Sequence, residues 1–187
     1  MSNNTWTSLL NTNQFSQVNV GTALANSVAA TDVSPGANTA GQAFTFPASY
    51  LRVGQQYRVT ATGIISNTGT PNLTLGIYYG GAAGTALATT GALATLTGLS
   101  NALWKLSAEL RVDAEGTSGA IRTLGTCVGP FSGTVFLPAT SSSGNSVTVD
   151  TSAAKILTVG ATFGTASASN SLQVITYTIE RLNEGES

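Results

Sequence analysis

Six carboxylates could act in pairs: Asp32, Glu109, Asp113, Glu115, Asp150 and Glu180. Paired carboxylates are the minimum for glycoside hydrolysis, one as acid and one as base or nucleophile. Glu109, Asp113 and Glu115 fall on the same phase of one segment, with Lys105 and Arg111 among them. Such a row reads as the solvated face of a strand, its charges partly balanced by their neighbours. Other reactive side chains are scarce. The chain has no His, which excludes a Ser-His-Asp triad and a Cys-His dyad and removes the commonest metal ligand. Cys127 is the only cysteine, so no internal disulfide can form, and it reads as a small core residue. Asp113-Ala114-Glu115-Gly116 holds too few carboxylates for a calcium loop, and the Gly runs open no helix that could cradle a phosphate. The expectation is no catalytic residue, no cofactor and no metal, in a protein that binds without transforming.

The element that carries the charged row is legible by itself. From Trp104 to Glu115 apolar and polar residues alternate without a break. Trp104, Leu106, Ala108, Leu110, Val112 and Ala114 form one side, and Lys105, Ser107, Glu109, Arg111, Asp113 and Glu115 the other. Period-two alternation predicts a long strand with one dry and one wet face. That wet face holds five charged residues of a chain with only seven Lys or Arg and eight Asp or Glu.

Charge is sparse elsewhere. At 8% charged residues and a net charge of −1 the 187-residue chain lies far below the roughly 25% of ordinary soluble proteins. It has too few cations to neutralise many phosphates, so neither nucleic acid nor an acidic membrane surface is expected as partner. The first residues, Met1 to Trp6, carry no basic stretch leading into an apolar run, and no signal peptide is expected. No apolar run approaches the length of a membrane-spanning helix.

The remaining elements follow the same period. Residues 1–40, rich in Asn, Thr, Ala and Ser, read as an extended arm with one or two short strands, and 41–187 as one β domain. Strands are predicted at Phe44 to Phe46, Gln56 to Ile65, Leu73 to Tyr79, Ala120 to Val128, Phe131 to Leu137, Val147 to Val149, Ile156 to Phe163 and Leu172 to Leu182. The pair 56–65 and 73–79, joined by the turn cluster Asn67 to Asn72, reads as a hairpin. Leu172 to Leu182 is apolar on both phases and is expected to be buried on both faces. The fold expected is all-β, an antiparallel sandwich of jelly-roll type. Trp6 and Phe15 are isolated large aromatics in a polar arm and are candidate interface residues beside Lys105, Glu109, Arg111 and Asp113. Tyr78 and Tyr79, next to Gly80-Gly81, are a candidate sugar-stacking platform.

Several segments together resemble tailed-bacteriophage virion proteins with a jelly-roll domain. These are Phe46-Pro47-Ala48, Leu51 to Val59, Leu73 to Gly81, Trp104 with its strand and Gly116 to Gly119, Val149 to Lys155, and Ala166 to Asn170. The likeness covers about residues 40–183 and is one of pattern and composition. It implies a structural protein of the particle surface, made in the host cytoplasm, first of all a capsid decoration or cement protein that binds the major capsid protein and assembles with itself, a trimer being favoured. The alternative is a receptor- or glycan-binding module of a tail fibre or spike.

Overall fold

The computed structural model describes residues 13–16, 21, 23–34, 44–132, 135–137 and 146–183. Fourteen strands lie among them: β1 Asn13–Ser16, β2 Leu24–Ala25, β3 Thr31–Asp32, β4 Thr45–Phe46, β5 Gln56–Ser66, β6 Asn72–Tyr79, β7 Thr85–Thr89, β8 Leu93–Ala94, β9 Ala102–Ala114, β10 Gly119–Val128, β11 Val135–Leu137, β12 Val147–Val149, β13 Lys155–Phe163 and β14 Ser171–Arg181. All pairings are antiparallel. The larger sheet runs β1-β14-β5-β9-β10-β11, with β12 also on β10 and β2 also on β14. The smaller runs β3-β13-β6-β7, with β4 also on β13 and β8 also on β6.

Alternation explains why two sheets form. Tyr57, Val59, Ala61 and Ile65 on β5 are buried, as are Leu106, Ala108, Leu110 and Val112 on β9. Leu73, Leu75 and Ile77 on β6 and Leu157, Val159, Ala161 and Phe163 on β13 are buried on the other sheet. Each sheet has one apolar face, and the two faces close on each other as a single core. Burying one such Leu, Ile or Val side chain contributes about 1.5–3 kcal/mol. The chain crosses between sheets from β2 to β3, from β4 to β5, from β5 to β6, from β8 to β9, from β12 to β13 and from β13 to β14. This sets β14 beside β5 in one sheet and β13 beside β6 in the other. The result is an antiparallel β-sandwich.

Two expectations are corrected. β5 and β6 are not a hairpin, because they belong to different sheets. The buried Asn67 at the end of β5 donates from Nδ2 to Thr95 Oγ1 at 2.8 Å and accepts from the Leu99 amide at 3.2 Å. These bonds tie the turn to the strand-poor segment 95–99, and the chain passes over the edge of the core instead of folding back. Nor is β14 buried on both faces. A bulge lies between Val174 and Thr176. Leu172 and Val174 point inward before it, Tyr177 and Ile179 after it, while Ile175 and Thr176 are both exposed. The change of phase places apolar residues on both alternation sets of a strand that has one wet face.

Parts of segment 1–40 join the sheets. β1 and β2 lie on β14, and β3 lies on β13. Asp32 in β3 accepts a hydrogen bond from the Ala82 amide at 2.6 Å, which pins the glycine-rich loop between β6 and β7.

Candidate functional site

The outer face of the larger sheet gathers most of the candidate residues. Its central strands β14, β5, β9 and β10 pair side by side, with register shifts between Val174 and Thr176 and between Ala120 and Ile121. One row across them is Glu180, Arg58, Glu109 and Leu124. The next is Thr178, Thr60, Ser107 and Thr126, a row of hydroxyls, and beyond it stand Thr62, Lys105 and Val128. Ile64 faces Leu103 at one end, and Gln56, Arg111 and Arg122 form a row at the other. Acidic and arginine side chains thus concentrate towards one end of the face and exposed Leu103 and Val128 towards the other, with Leu124 set in the charged row and Lys105 beside Val128.

Its charges are mutually engaged. Arg58 reaches Glu109 at 2.9 Å and Glu180 at 3.9 Å. The hydrogen bond that Arg58 donates to Glu109, ahead of the charges of Glu109 and Glu180, holds the guanidinium above its ordinary pKa. Asp113 lies 3.0 Å from Arg122 and 3.8 Å from Arg111. The arginines of these pairs are about half exposed, Asp113 less so, and such solvent-facing pairs are individually weak, of order 0–1 kcal/mol. Lys105 has no ion-pair partner among the described residues.

Apolar residues interrupt this face. Leu103 is 74% exposed and Leu124 68% exposed, and Val128 is also exposed. Ile64, Leu103 and Val128 are cross-strand or diagonal neighbours, so they form one patch. The sequence reading missed them, although the signal was present. Leu103 continues the wet phase of Lys105 and Ser107, and Leu124 and Val128 share a phase with Arg122 and Thr126. A large apolar residue on the wet phase of an alternating strand is the mark of an exposed contact.

The other carboxylates hold loops. Glu115 accepts from the Val53 amide at 2.8 Å and meets Arg52 at 3.1 Å. Asp150 accepts from the Ser152 amide at 2.9 Å and from its hydroxyl at 2.5 Å, and these bonds lower its pKa. Glu109 and Glu180 are the two carboxylates that share a partner, and Arg58 stands between them. Among the described residues no three His, Cys, Asp or Glu side chains group as metal ligands.

Tyr78 and Tyr79 do not share a surface. Successive strand residues point to opposite faces. Tyr79 enters the core, its ring centroid 6.3 Å from that of Phe46, and its hydroxyl is buried without a hydrogen-bond partner among the described residues. Tyr78 is half-buried on the outer face of the smaller sheet, laid over Gly76 and Gly160: a β-carbon at Gly160 would stand 2.6 Å from its ring. Trp104 is in the core, and Cys127 is buried. Trp6 lies outside the described residues; Phe15 pairs through its backbone with Ile179, and its side chain lies outside them too.

No protein-family model matches the chain, and neither a curated protein nor a solved structure does.

Proposed function

We propose that this chain is a structural protein of a tailed-bacteriophage particle that decorates the assembled head, and that the outer face of the larger sheet is its contact surface. The observation that carries this reading is the presence of exposed apolar side chains among charged ones on that one face. Leu103, Val128 and Leu124 stand exposed on the same surface as Arg58, Lys105, Glu109 and Arg111. Apolar anchors rimmed by charged and hydroxyl groups make a protein-docking surface, and stable docking needs about 800 Å² from each partner. The resemblance of residues 40–183 to jelly-roll virion proteins supplies the partner, the major capsid protein. It also favours self-association as a trimer.

The mechanism is mass action. A protein that binds the closed shell and not its separated subunits stabilises the shell, by about 2.7 kcal/mol per site at a free concentration one hundred times Kd. Repetition over a symmetric lattice multiplies that effect. The test is release of packaged DNA on heating particles with and without this protein. Release at a higher temperature with the protein bound supports decoration. Equal release temperatures, or density at the tail tip in electron micrographs, refute it.

A second reading, a glycan-binding module of a fibre or spike, has one observation in its favour. An open cleft of about 280 Å³ at the β5–β6 and β13–β14 turns is lined by Thr68, Thr70, Thr165, Ser167 and Ser169. Such a neutral hydroxyl surface can hydrogen-bond sugar hydroxyls. Binding on a panel of bacterial surface glycans, lost in Ser167→Ala with Ser169→Ala, supports it, and no binding refutes it.

A further inference from the structure

Two charged groups on one face of β9 have unused capacity. Lys105 has no ion pair or hydrogen bond among the described residues. Glu109 accepts from Arg58 at Oε1, 2.9 Å away, and its Oε2 accepts nothing among the described residues. The two stand four residues apart, about 13 Å along the strand, and do not pair with each other. Two exposed apolar residues on β10 repeat this spacing. Val128 is the cross-strand partner of Lys105, and Leu124 that of Glu109. Midway between these two rows runs the hydroxyl row of Thr60, Ser107 and Thr126. Leu103 lies two rows from it on one side, and Arg111 two rows from it on the other.

We propose that in the free protein this face pairs with the same face of a second copy, about a twofold axis that crosses the strands over the hydroxyl row. In such a contact residue i meets j and j meets i. Lys105 of each copy then faces Glu109 of the other, and Val128 of each faces Leu124 of the other. One operation makes both matches, and each occurs twice. Leu103 falls on the methylenes of Arg111 of the second copy. The short hydroxyl side chains at the centre let the sheets approach, in the aligned packing that twisted sheets adopt. The axis halves the face, so the two footprints coincide. Four strands from Leu103 to Arg111 cover a flat area of roughly 600 Å². Side-chain relief raises the accessible area towards the about 800 Å² per partner of a stable dimer. The arginines and carboxylates of the face balance, and a chain of net charge −1 repels its own copy little. The inference concerns the free protein and does not rest on the particle reading; the dimer would part before this face docked on a shell.

The test is sedimentation equilibrium of the full chain from low to high micromolar concentration. The parent is expected to reach twice the monomer mass. Lys105→Glu sets carboxylate against carboxylate across the axis, and Glu109→Lys sets ammonium against ammonium. Each is expected to weaken self-association about tenfold or more. An equimolar mixture of the two variants restores both opposite-charge pairs and is expected to dimerise as the parent does; a variant that merely misfolds cannot be rescued by mixing. Leu124→Asp is expected to weaken the parent dimer as well. A parent that stays monomeric, single variants that dimerise like the parent, or a mixture no tighter than its components would overturn the proposal. A trimer would overturn it too, while leaving head decoration standing.

Discussion

Trp104 lies on the bare backbone of Gly63, its cross-strand partner. A β-carbon at Gly63 would stand 2.7 Å from the indole Cζ2 and would also run into the Gln173 carbonyl on the other side. The indole Nε1 donates to the Ile64 carbonyl at 3.3 Å. Gly63→Ala is therefore expected to cost about 2–3 kcal/mol by overpacking, and Trp104→Ala about 3–5 kcal/mol by cavity formation. In the double variant the costs should sum to less than their total, because one clash disappears with the ring. Urea unfolding followed by circular dichroism measures all three. Strict additivity would show that ring and glycine are not coupled.

Two core tyrosines should respond in opposite directions to loss of their hydroxyls. Tyr177 donates to the Leu157 carbonyl at 2.9 Å, whereas the buried Tyr79 hydroxyl has no partner among the described residues. Tyr177→Phe is expected to destabilise by about 1 kcal/mol, and Tyr79→Phe to stabilise by up to about 1 kcal/mol. Urea midpoints of the two variants measure this. A Tyr79→Phe protein less stable than the parent would mean that the hydroxyl is satisfied after all.

Stability should fall in alkali. Burial pushes the Cys127 thiol up to about 12 from its ordinary 9.0. Burial first, and the Asp150 carboxylate second, push Tyr79 up to about 12 from 10.0. Tyr177 is raised in the same direction, chiefly by burial. In each case the unfolded chain loses its proton first. The stabilisation is complete below pH 9 and is lost as pH rises towards 12. The slope is about 1.4 kcal/mol per pH unit for each group ionised only when unfolded. Urea midpoints between pH 7 and 11.5 should decline beyond 9, and Cys127→Ala should flatten the decline. A level profile would refute the assignment.

The same burial makes Cys127 a reporter of opening. At pH 8 iodoacetamide should leave the native thiol unmodified over hours and alkylate it completely in denaturing urea, read by mass spectrometry of the intact chain. Rapid labelling of the native protein would place the thiol at the surface.

The Arg58–Glu109 pair should matter little to stability. Both side chains are about half exposed, so Glu109→Gln is expected to change the unfolding free energy by less than about 1 kcal/mol, with the effect shrinking in salt. A larger loss would show that the row Glu180, Arg58 and Glu109 acts as a cooperative network.

Much of this was legible in the residues. The alternation from Trp104 to Glu115 specified β9, its buried face and its charged face, because a side chain's face in a strand depends only on its position parity. Core placement of Trp104 followed from the same rule, and that of Cys127 from the habit of a lone cysteine to pack as a small core residue. The β5–β6 error arose because a turn cluster such as Asn67 to Asn72 signals a change of direction and not the sheet that the chain enters next. The β14 error arose because a bulge is a backbone event, and its phase shift imitates a strand with two apolar faces. Tyr78 and Tyr79 were grouped by adjacency, which in a strand separates them.

The sequence alone determined that this is an antiparallel β protein, where most of its long strands run, which face of β9 is dry, and that this strand's wet face carries a charged stripe. Those properties are local: parity, turn residues and composition act over a few residues. Only the tertiary structure decided that β14, β5, β9 and β10 lie side by side, and so that Glu180, Arg58 and Glu109 make one row and Arg111 meets Arg122. Strand neighbours are chosen by which apolar faces can close one core together, a condition on residues far apart in the chain.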